Sequence, residues 1–476
     1  MLRSTFPLFS YTIPLRRPRV AKLCHSFSPA THRPPTVCKY SSSTDRTPKP
    51  TPPTSAYIHL PFCRKRCHYC DFPIVALGSS SSSSSLAKHS DEDPRISNYI
   101  QLLLREIEAT KPKFDTYPPL ETIFFGGGTP SLVPPRLVAS VLDALRSKFG
   151  MSANPEMSIE MDPGTFDKGK LNELLALGVN RVSLGVQAFQ EMLLQACGRA
   201  HGLKEVHEAI EIVSNCDGLT NWSMDLISSL PHQTTEMWEQ SLKCAADAQP
   251  THVSVYDLQV EQGTKFGQLY SPGEFPLPTE DQSASFYKMA SETLSGAGYN
   301  HYEISSYCKD GYECKHNLTY WQNRAFYGFG LGSASYISGV RFSRPRRLKE
   351  YADWVQGLED GTVSLDTTNV ETKDKAMDVV MLSLRTARGL DVQSFSRFFG
   401  QFLTLSLLKA FRPFVETGLV VAMDGEGGEL PPQDFELHLS GDYDIGERVA
   451  FIRLSDPDGF LLSNELISIA FGVISP

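Results

Sequence analysis

The chain has 476 residues, 41% of them hydrophobic, enough for a large core and more than one domain. Its net charge is −9, but residues 1–55 hold nine Lys or Arg and one acid, Asp45, so the remainder carries −17 and is excluded from binding nucleic acid by bulk electrostatics. No apolar run approaches the roughly 20 residues of a membrane-spanning helix, and ten cysteines in this length do not make a secreted disulfide scaffold.

Residues 1–55 are rich in Arg, Ser, Thr and Pro and nearly free of acids, the composition of an organellar transit peptide. A disordered extension with no address is the alternative. Arg16, Arg17 and Arg19 lean towards the mitochondrion, and the Ser, Thr and Pro content towards the plastid. Either matrix suits a metalloprotein with reduced thiols.

A strand-like run, Ala56-Tyr57-Ile58-His59-Leu60, leads into Cys63-Arg-Lys-Arg-Cys67-His-Tyr-Cys70. Three cysteines in eight residues read as thiolate ligands, and thiolates hold Fe–S clusters. A four-iron cubane needs four ligands, so Cys63, Cys67 and Cys70 leave one iron open for a small molecule. Buried structural cysteines are one alternative. A zinc site is another, but no second Cys pair follows.

Gly78 and the serines Ser79 to Ser85 form a low-complexity insertion, bounded at 78–93. From Arg95 the pattern alternates. Helices are expected near 96–110, 134–149, 168–177, 190–196, 203–215 and 235–248. Strands are expected near 122–125, 157–161, 181–186, 222–227 and 252–256. This alternation predicts parallel βαβ units with functional residues on loops at the strand ends.

Gly126-Gly127-Gly128-Thr129-Pro130 follows a strand directly. It reads either as a tight turn or as backbone that approaches a ligand with its N–H groups free to donate. Glu160, at the next strand end, is either an ion-paired acid or a carboxylate that accepts from a ribose diol. Further on, His316-Asn317-Leu318-Thr319-Tyr320-Trp321 offers an imidazole and two aromatic faces. The local residues fit a hydrogen-bonded core histidine, or an iron ligand beside rings that could pack on a porphyrin.

Residues 370–476 read as a tail of helices near 377–389, 391–399 and 403–416, a strand at 418–422 and a loop from Gly425 to Gln433. A hairpin of Phe451–Ser455 with Gly459–Leu462 and a last helix from Ser463 to Phe471 complete it.

Cys-x3-Cys-x2-Cys with an aromatic at Tyr69 resembles the signature of the radical S-adenosylmethionine (SAM) enzymes. The wider run from Tyr57 to Phe72 resembles the branch that holds the oxygen-independent coproporphyrinogen III oxidases and the HemW-type haem chaperones. In that family SAM chelates the open iron through its amino and carboxylate groups, and an electron from the cluster cleaves a C–S bond to give a 5′-deoxyadenosyl radical. The resemblance implies a partial (β/α)6 TIM-type barrel over residues 56–300, a connecting region 301–369 with the HNxxYW run, and an α+β, winged-helix-like domain over 370–476. It implies SAM contacts from Tyr57, Tyr69, Gly127, Gly128, Thr129, Glu160, Gln187, Arg199 and Asp225. It moves His316, Tyr320 and Trp321 towards haem. The oxidases carry a fourth cysteine two residues after the third, where this chain has Phe72. That difference and the HNxxYW run favour a chaperone that binds haem and passes it to recipient proteins, with an electron donor as a further partner. The oxidase is the alternative, and another radical SAM modifying enzyme a third reading.

Overall fold

The structure, a computed structural model, describes residues 51–78, 93–111, 118–363, 370–440 and 449–475. Residues 1–50 of the expected transit peptide and the serine run 79–85 lie outside the described residues.

A nine-stranded sheet forms the larger body. Its first six strands in the chain are β1 (Ser55–Leu60), β2 (Leu120–Gly127), β3 (Met151–Met161), β4 (Arg181–Gln187), β5 (Trp222–Ser228) and β6 (His252–Asp257). They lie side by side in chain order, every neighbouring pair parallel. Parallel strands covered on both faces read as continuous apolar runs, and Ile123 to Phe125 and Val182 to Val186 are buried throughout. The crossovers are α1 (Pro94–Ala109), α2 (Pro135–Phe149), α3 (Lys168–Ala176), α4 (Glu191–Ala196) with α5 (Leu203–Ser214), and α6 (Thr235–Asp247). Helix α1 shows why such segments fold. Asp93 caps it by accepting from the Arg95 N–H at 2.9 Å, Pro94 opens it, and Ile96, Ile100, Leu103 and Ile107 fall on one buried face. This is the open six-stranded β/α barrel expected.

The segment 301–369 carries regular elements among its described residues. It follows α7 (Lys265–Leu269) and α8 (Glu280–Gly296). Strands β7 (Asn300–Glu303) and β8 (Ser306–Cys308) extend the sheet antiparallel beyond β6. Helix α9 (Lys315–Trp321) follows, and β9 (Tyr327–Phe329) then returns to the far edge and pairs parallel with β1. The sheet order is therefore β9-β1-β2-β3-β4-β5-β6-β8-β7. A small hairpin, β10 (Ala334–Ile337) with β11 (Val340–Ser343), leads to α10 (Leu348–Glu359). Below them Glu106 of α1 sits in a buried ion pair with Arg344 at 2.7 Å and accepts from the Gly330 N–H at 2.8 Å.

The C-terminal part has its own apolar core, which includes Phe395, Leu408, Phe411, Ile452 and Leu466. Its helices α11 (Thr372–Ser383), α12 (Val392–Phe399) and α13 (Gln401–Glu416) precede β13 (Val420–Met423), with the two-residue β12 (Leu390–Asp391) ahead of α12. Helix α14 (Pro432–Ser440), β14 (Phe451–Leu454), α15 (Asp458–Leu461) and α16 (Ser463–Ile474) follow. The expected hairpin is corrected here. Residues 458–461 are helical, and β14 pairs antiparallel with β12 and β13. The unit docks on the barrel through Asp456, which meets His301 at 2.8 Å and Ser291 at 3.0 Å.

Candidate functional site

The cysteines lie in the loop that leaves the C-terminal end of β1. Backbone bonds close it at its base, from the Val75 N–H to the Pro61 carbonyl at 2.7 Å and from Leu77 to Cys63 at 2.8 Å. Arg66 stitches its far side by donating to the carbonyls of Cys70 at 3.1 Å and Phe72 at 2.8 Å. The His68 ring donates to Ala196 O at 2.8 Å, and its backbone N–H to Cys197 O at 2.9 Å, so the loop leans on the end of α4. Cys63, Cys67 and Cys70 are free thiols, each partly exposed. Burial pushes Cys63 up to about 12 and Cys70 up to about 11, so thiolates here need a cationic centre to stabilise them.

Among the described residues no three His, Cys, Asp or Glu side chains gather closely enough for a single metal ion.

The glycine run packs beneath this loop. A Cβ on Gly128 would stand 2.6 Å from Phe62 O and from the carbonyl carbon of Pro61, and one on Gly127, at φ +111°, would strike the His59 ring at 2.5 Å. The N–H groups of Gly127, Gly128 and Thr129 are spent on the protein. Gly127 donates to Glu160 Oε2 at 3.0 Å, Gly128 to Leu60 O at 2.9 Å, and Thr129 to Phe62 O at 2.6 Å. The turn is locked to the cluster loop, and only its carbonyls suit an ammonium group, which donates and does not accept. The Thr129 hydroxyl approaches Cys63 Sγ at 3.6 Å.

The other expected residues come together on adjoining strand ends, with Glu160 opposite Ser183 and Gly185 opposite Asp225. Asp225 accepts from Ser183 Oγ at 2.9 Å. Gln187 closes β4 at φ +70°, fully buried, and both its amide nitrogen and its oxygen lack a partner among the described residues. An orphaned buried amide in strained backbone marks a place where a polar ligand belongs. Tyr57 on β1 donates its hydroxyl to His59 Nδ1 at 3.2 Å, and His59 Nε2 donates to Pro73 O at 3.0 Å. Burial holds His59 down at about 4, hence neutral.

Arg199 is engaged by the protein. It donates to Tyr69 OH at 3.0 Å, Gly185 O at 3.1 Å, Cys67 Sγ at 3.5 Å and the Asp162 carboxylate. Asp162, given no role by the sequence reading, also meets His201 Nδ1 at 3.4 Å and Arg64 at 3.5 Å. Burial pushes its carboxyl up, but Arg199, His201 and Arg64 together outweigh that and hold it well below the usual range. Its position after a strand, in Asp162-Pro163-Gly164, was the available signal.

The HNxxYW run lies elsewhere. It forms α9, and its contacts are with the N-terminal ends of the strands, at the floor of the barrel. Glu156 of β3 accepts from the Lys315 and His316 N–H groups at 3.2 and 3.0 Å, which caps the helix. His316 is fully buried, with Nδ1 2.7 Å from Thr122 Oγ1 and Nε2 2.7 Å from Tyr320 OH. Its ring stacks on Phe124 at 5.2 Å. Tyr320 and Trp321 are also buried. This is the hydrogen-bonded core arrangement. An iron at Nε2 would have to displace the Tyr320 hydroxyl.

With the cysteine loop after β1, the polar groups of Glu160, Gln187 and Asp225 on β3, β4 and β5, and the six parallel strands that carry them, the chain has the make-up of a radical SAM protein. The radical SAM superfamily model matches residues 57–245. A protein of Synechocystis sp. named "Heme chaperone HemW" is 36% identical over 89% of this chain and 97% of its own length. The zebrafish (Danio rerio) protein named "Radical S-adenosyl methionine domain-containing protein 1, mitochondrial" is 27% identical over 75% of this chain and 78% of its own. A solved structure titled as the coproporphyrinogen III oxidase HemN of Escherichia coli superposes with a TM-score of 0.68, covering 88% of this chain and 90% of that one, at 22% identity. That last likeness shows the fold. The chain belongs to the HemW family of radical SAM proteins.

Proposed function

We propose that this protein is a haem chaperone with a [4Fe–4S] cluster on Cys63, Cys67 and Cys70 and a SAM site over the adjoining strand ends. Near-complete alignment with a relative named for that role carries the reading. When bound, the cluster and SAM supply a one-electron source and a cleavable C–S bond. Gln187 would offer both amide atoms to SAM, Glu160 and Asp225 acceptors for ribose hydroxyls, and the turn at Gly127 and Gly128 backbone carbonyls as acceptors for the ammonium group. Tyr69 and Thr129 hold the loop around the thiols.

Position 72 supports the chaperone over the oxidase. Phe72 adds a ring, and no thiol, where the oxidases carry their fourth cysteine. The reading does not depend on His316 ligating iron.

Haem is the proposed cargo, and recipient proteins and an electron donor the proposed partners. Among the described residues no helix is long and apolar enough to cross a membrane. Delivery to an organelle matrix is proposed, with the mitochondrion ahead of the plastid, supported by the acid-poor first 55 residues and the name of the zebrafish relative.

Anaerobic reconstitution with iron and sulfide, followed by parallel assays, tests the function. Haem titration should give a saturable Soret band. Coproporphyrinogen with SAM and dithionite should remain unconverted, and its conversion to protoporphyrinogen would overturn the chaperone in favour of the oxidase.

A further inference from the structure

We propose that the outer side of the cysteine loop, formed by Lys65, Arg66 and Arg346, is the docking face for a small acidic one-electron carrier protein of the ferredoxin type. The inference rests on the reading that Cys63, Cys67 and Cys70 hold a cluster, and it gives the electron donor a place and a charge.

The three basic residues between Cys63 and Cys67 part ways. Arg64 turns inward, where Asp162 meets it at 3.5 Å and Pro163 O accepts from it at 2.9 Å. Lys65 and Arg66 are exposed. The Arg66 guanidinium lies over the loop's exit and donates to Cys70 O at 3.1 Å and Phe72 O at 2.8 Å. Arg346, ahead of α10 and also exposed, donates to Asp71 O, the carbonyl between those two. Two guanidinium groups from distant segments thus close on one tripeptide.

The neighbouring cations are balanced, Arg95 by Asp93 at 2.7 Å and Arg347 by Glu350 at 3.2 Å. Lys65, Arg66 and Arg346 have no carboxylate partner among the described residues. Asp71 is the one acid between Cys63 and Gly78. Three cations against one acid form a basic spot on a body, residues 56–476, whose net charge is −17. Such a spot steers an acidic protein to it, and the acidic surroundings reject other orientations.

The place of the spot selects an electron carrier. Cys67 Sγ lies 3.5 Å from Arg199 and Cys63 Sγ 3.6 Å from Thr129. Cys70 is the one whose own carbonyl Arg66 binds. Arg346 follows the hairpin beyond β9, at the edge of the sheet, whereas Glu160, Gln187 and Asp225 stand on β3, β4 and β5. A protein seated on the three cations therefore lies against Cys70 and leaves the proposed SAM site clear. In the transfer the carrier's reduced [2Fe–2S] centre loses one electron and the cluster gains it. No bond breaks and no proton moves.

The test uses the full chain, with iron counted, and a plant-type ferredoxin as the probe. Titration calorimetry with oxidised ferredoxin should show a complex at about 20 mM salt that weakens as salt rises to about 0.3 M, whereas two net-acidic proteins without a basic spot would show the reverse. Lys65→Glu with Arg346→Gln should weaken the complex about tenfold at low salt. Lys409→Glu, exposed on α13, should leave it unchanged. Reduced ferredoxin mixed with iron-loaded wild type should lose its EPR signal as that of the reduced four-iron cluster grows. Absent binding, equal affinity in the double variant, equal weakening by Lys409→Glu, or a complex that passes no electron overturns the face. A salt dependence that survives the double variant assigns the attraction to the nine cations of residues 1–55 and overturns it too. If the double variant takes up no iron, Lys65→Glu alone decides. Wild-type protein that takes up no iron overturns the cluster reading, and this inference with it. Wild-type protein with four irons and no salt-sensitive complex overturns this inference alone.

Discussion

His316 Nε2 and the Tyr320 hydroxyl stand 2.7 Å apart, one helical turn from each other on α9. With Thr122 on Nδ1 the imidazole has both nitrogens engaged inside the barrel floor. His316→Ala would strand two buried hydroxyls and leave a cavity. We expect a loss of about 2–5 kcal/mol from those combined effects. Chemical denaturation should show it, while the Soret position of haem-loaded variant stays that of wild type. A shifted Soret band would instead mean that His316 reaches the iron.

The same burial gives the protein an acid limit. Burial pushes His316 down to about 3, with Arg181 adding to it, and His59 down to about 4. Both fall below the usual 6.5, so between that value and the folded one the unfolded chain binds more protons. Their stabilisation is complete above about pH 6.5 and is lost as pH falls towards 4 and 3. The slope is at most about 1.4 kcal/mol per pH unit for each residue. Denaturant midpoints at pH 7.5, 6.0 and 5.0 should fall in that order, and His316→Gln should flatten the trend. An unchanged slope in that variant would assign the acid sensitivity to other groups.

Gln187 sets stability against binding. Its amide is buried with neither end satisfied, a cost of roughly 1–3 kcal/mol to the ligand-free fold. Gln187→Met, of similar shape, should raise the melting temperature of the unliganded protein. It should also weaken the SAM-induced change in the reduced cluster's EPR signal by about tenfold in concentration, the size of one lost polar contact. Equal SAM response in wild type and variant would remove Gln187 from the site.

Gly128→Ala tests whether the glycine run serves the loop. Its Cβ would lie 2.6 Å from backbone atoms of Pro61 and Phe62, which cannot yield as a flexible side chain would. The variant should keep its far-UV circular dichroism and lose most of its iron on reconstitution. Full iron uptake would show that the cluster loop can shift without harm.

Much of the barrel was legible because of what parallel strands require. Helix-like and strand-like segments alternate from Arg95 onward, so the strands and their ends could be placed from the pattern. The cysteines were legible from spacing alone. The run at 459–462 was not, because four residues with two leucines fit a strand or a helical turn equally. Helix α14 was hidden in a stretch rich in Gly, Glu and Pro. Asp162 showed only its place after a strand, and its partners stayed hidden for another reason. Its partners Arg199 and Arg64 lie 37 and 98 positions away, and no local pattern reports contacts at that range. The floor was hidden likewise, since Glu156 and His316 are 160 positions apart.

That floor arrives late. The hydroxyl of Ser55 on β1 meets Thr319 on α9 across 264 positions, and the outer edge of β1 stays bare until β9 is made. At about 5–20 residues per second, a ribosome leaves an interval of roughly 13–50 s in which the first strand has an open edge. An apolar strand edge recruits other strands. The cysteine loop hangs from that same strand, and its partners Asp162 and Arg199 are themselves still to be placed. Cluster insertion into the growing chain would meet thiols without their surroundings. The order of synthesis therefore favours loading after the chain has closed on itself.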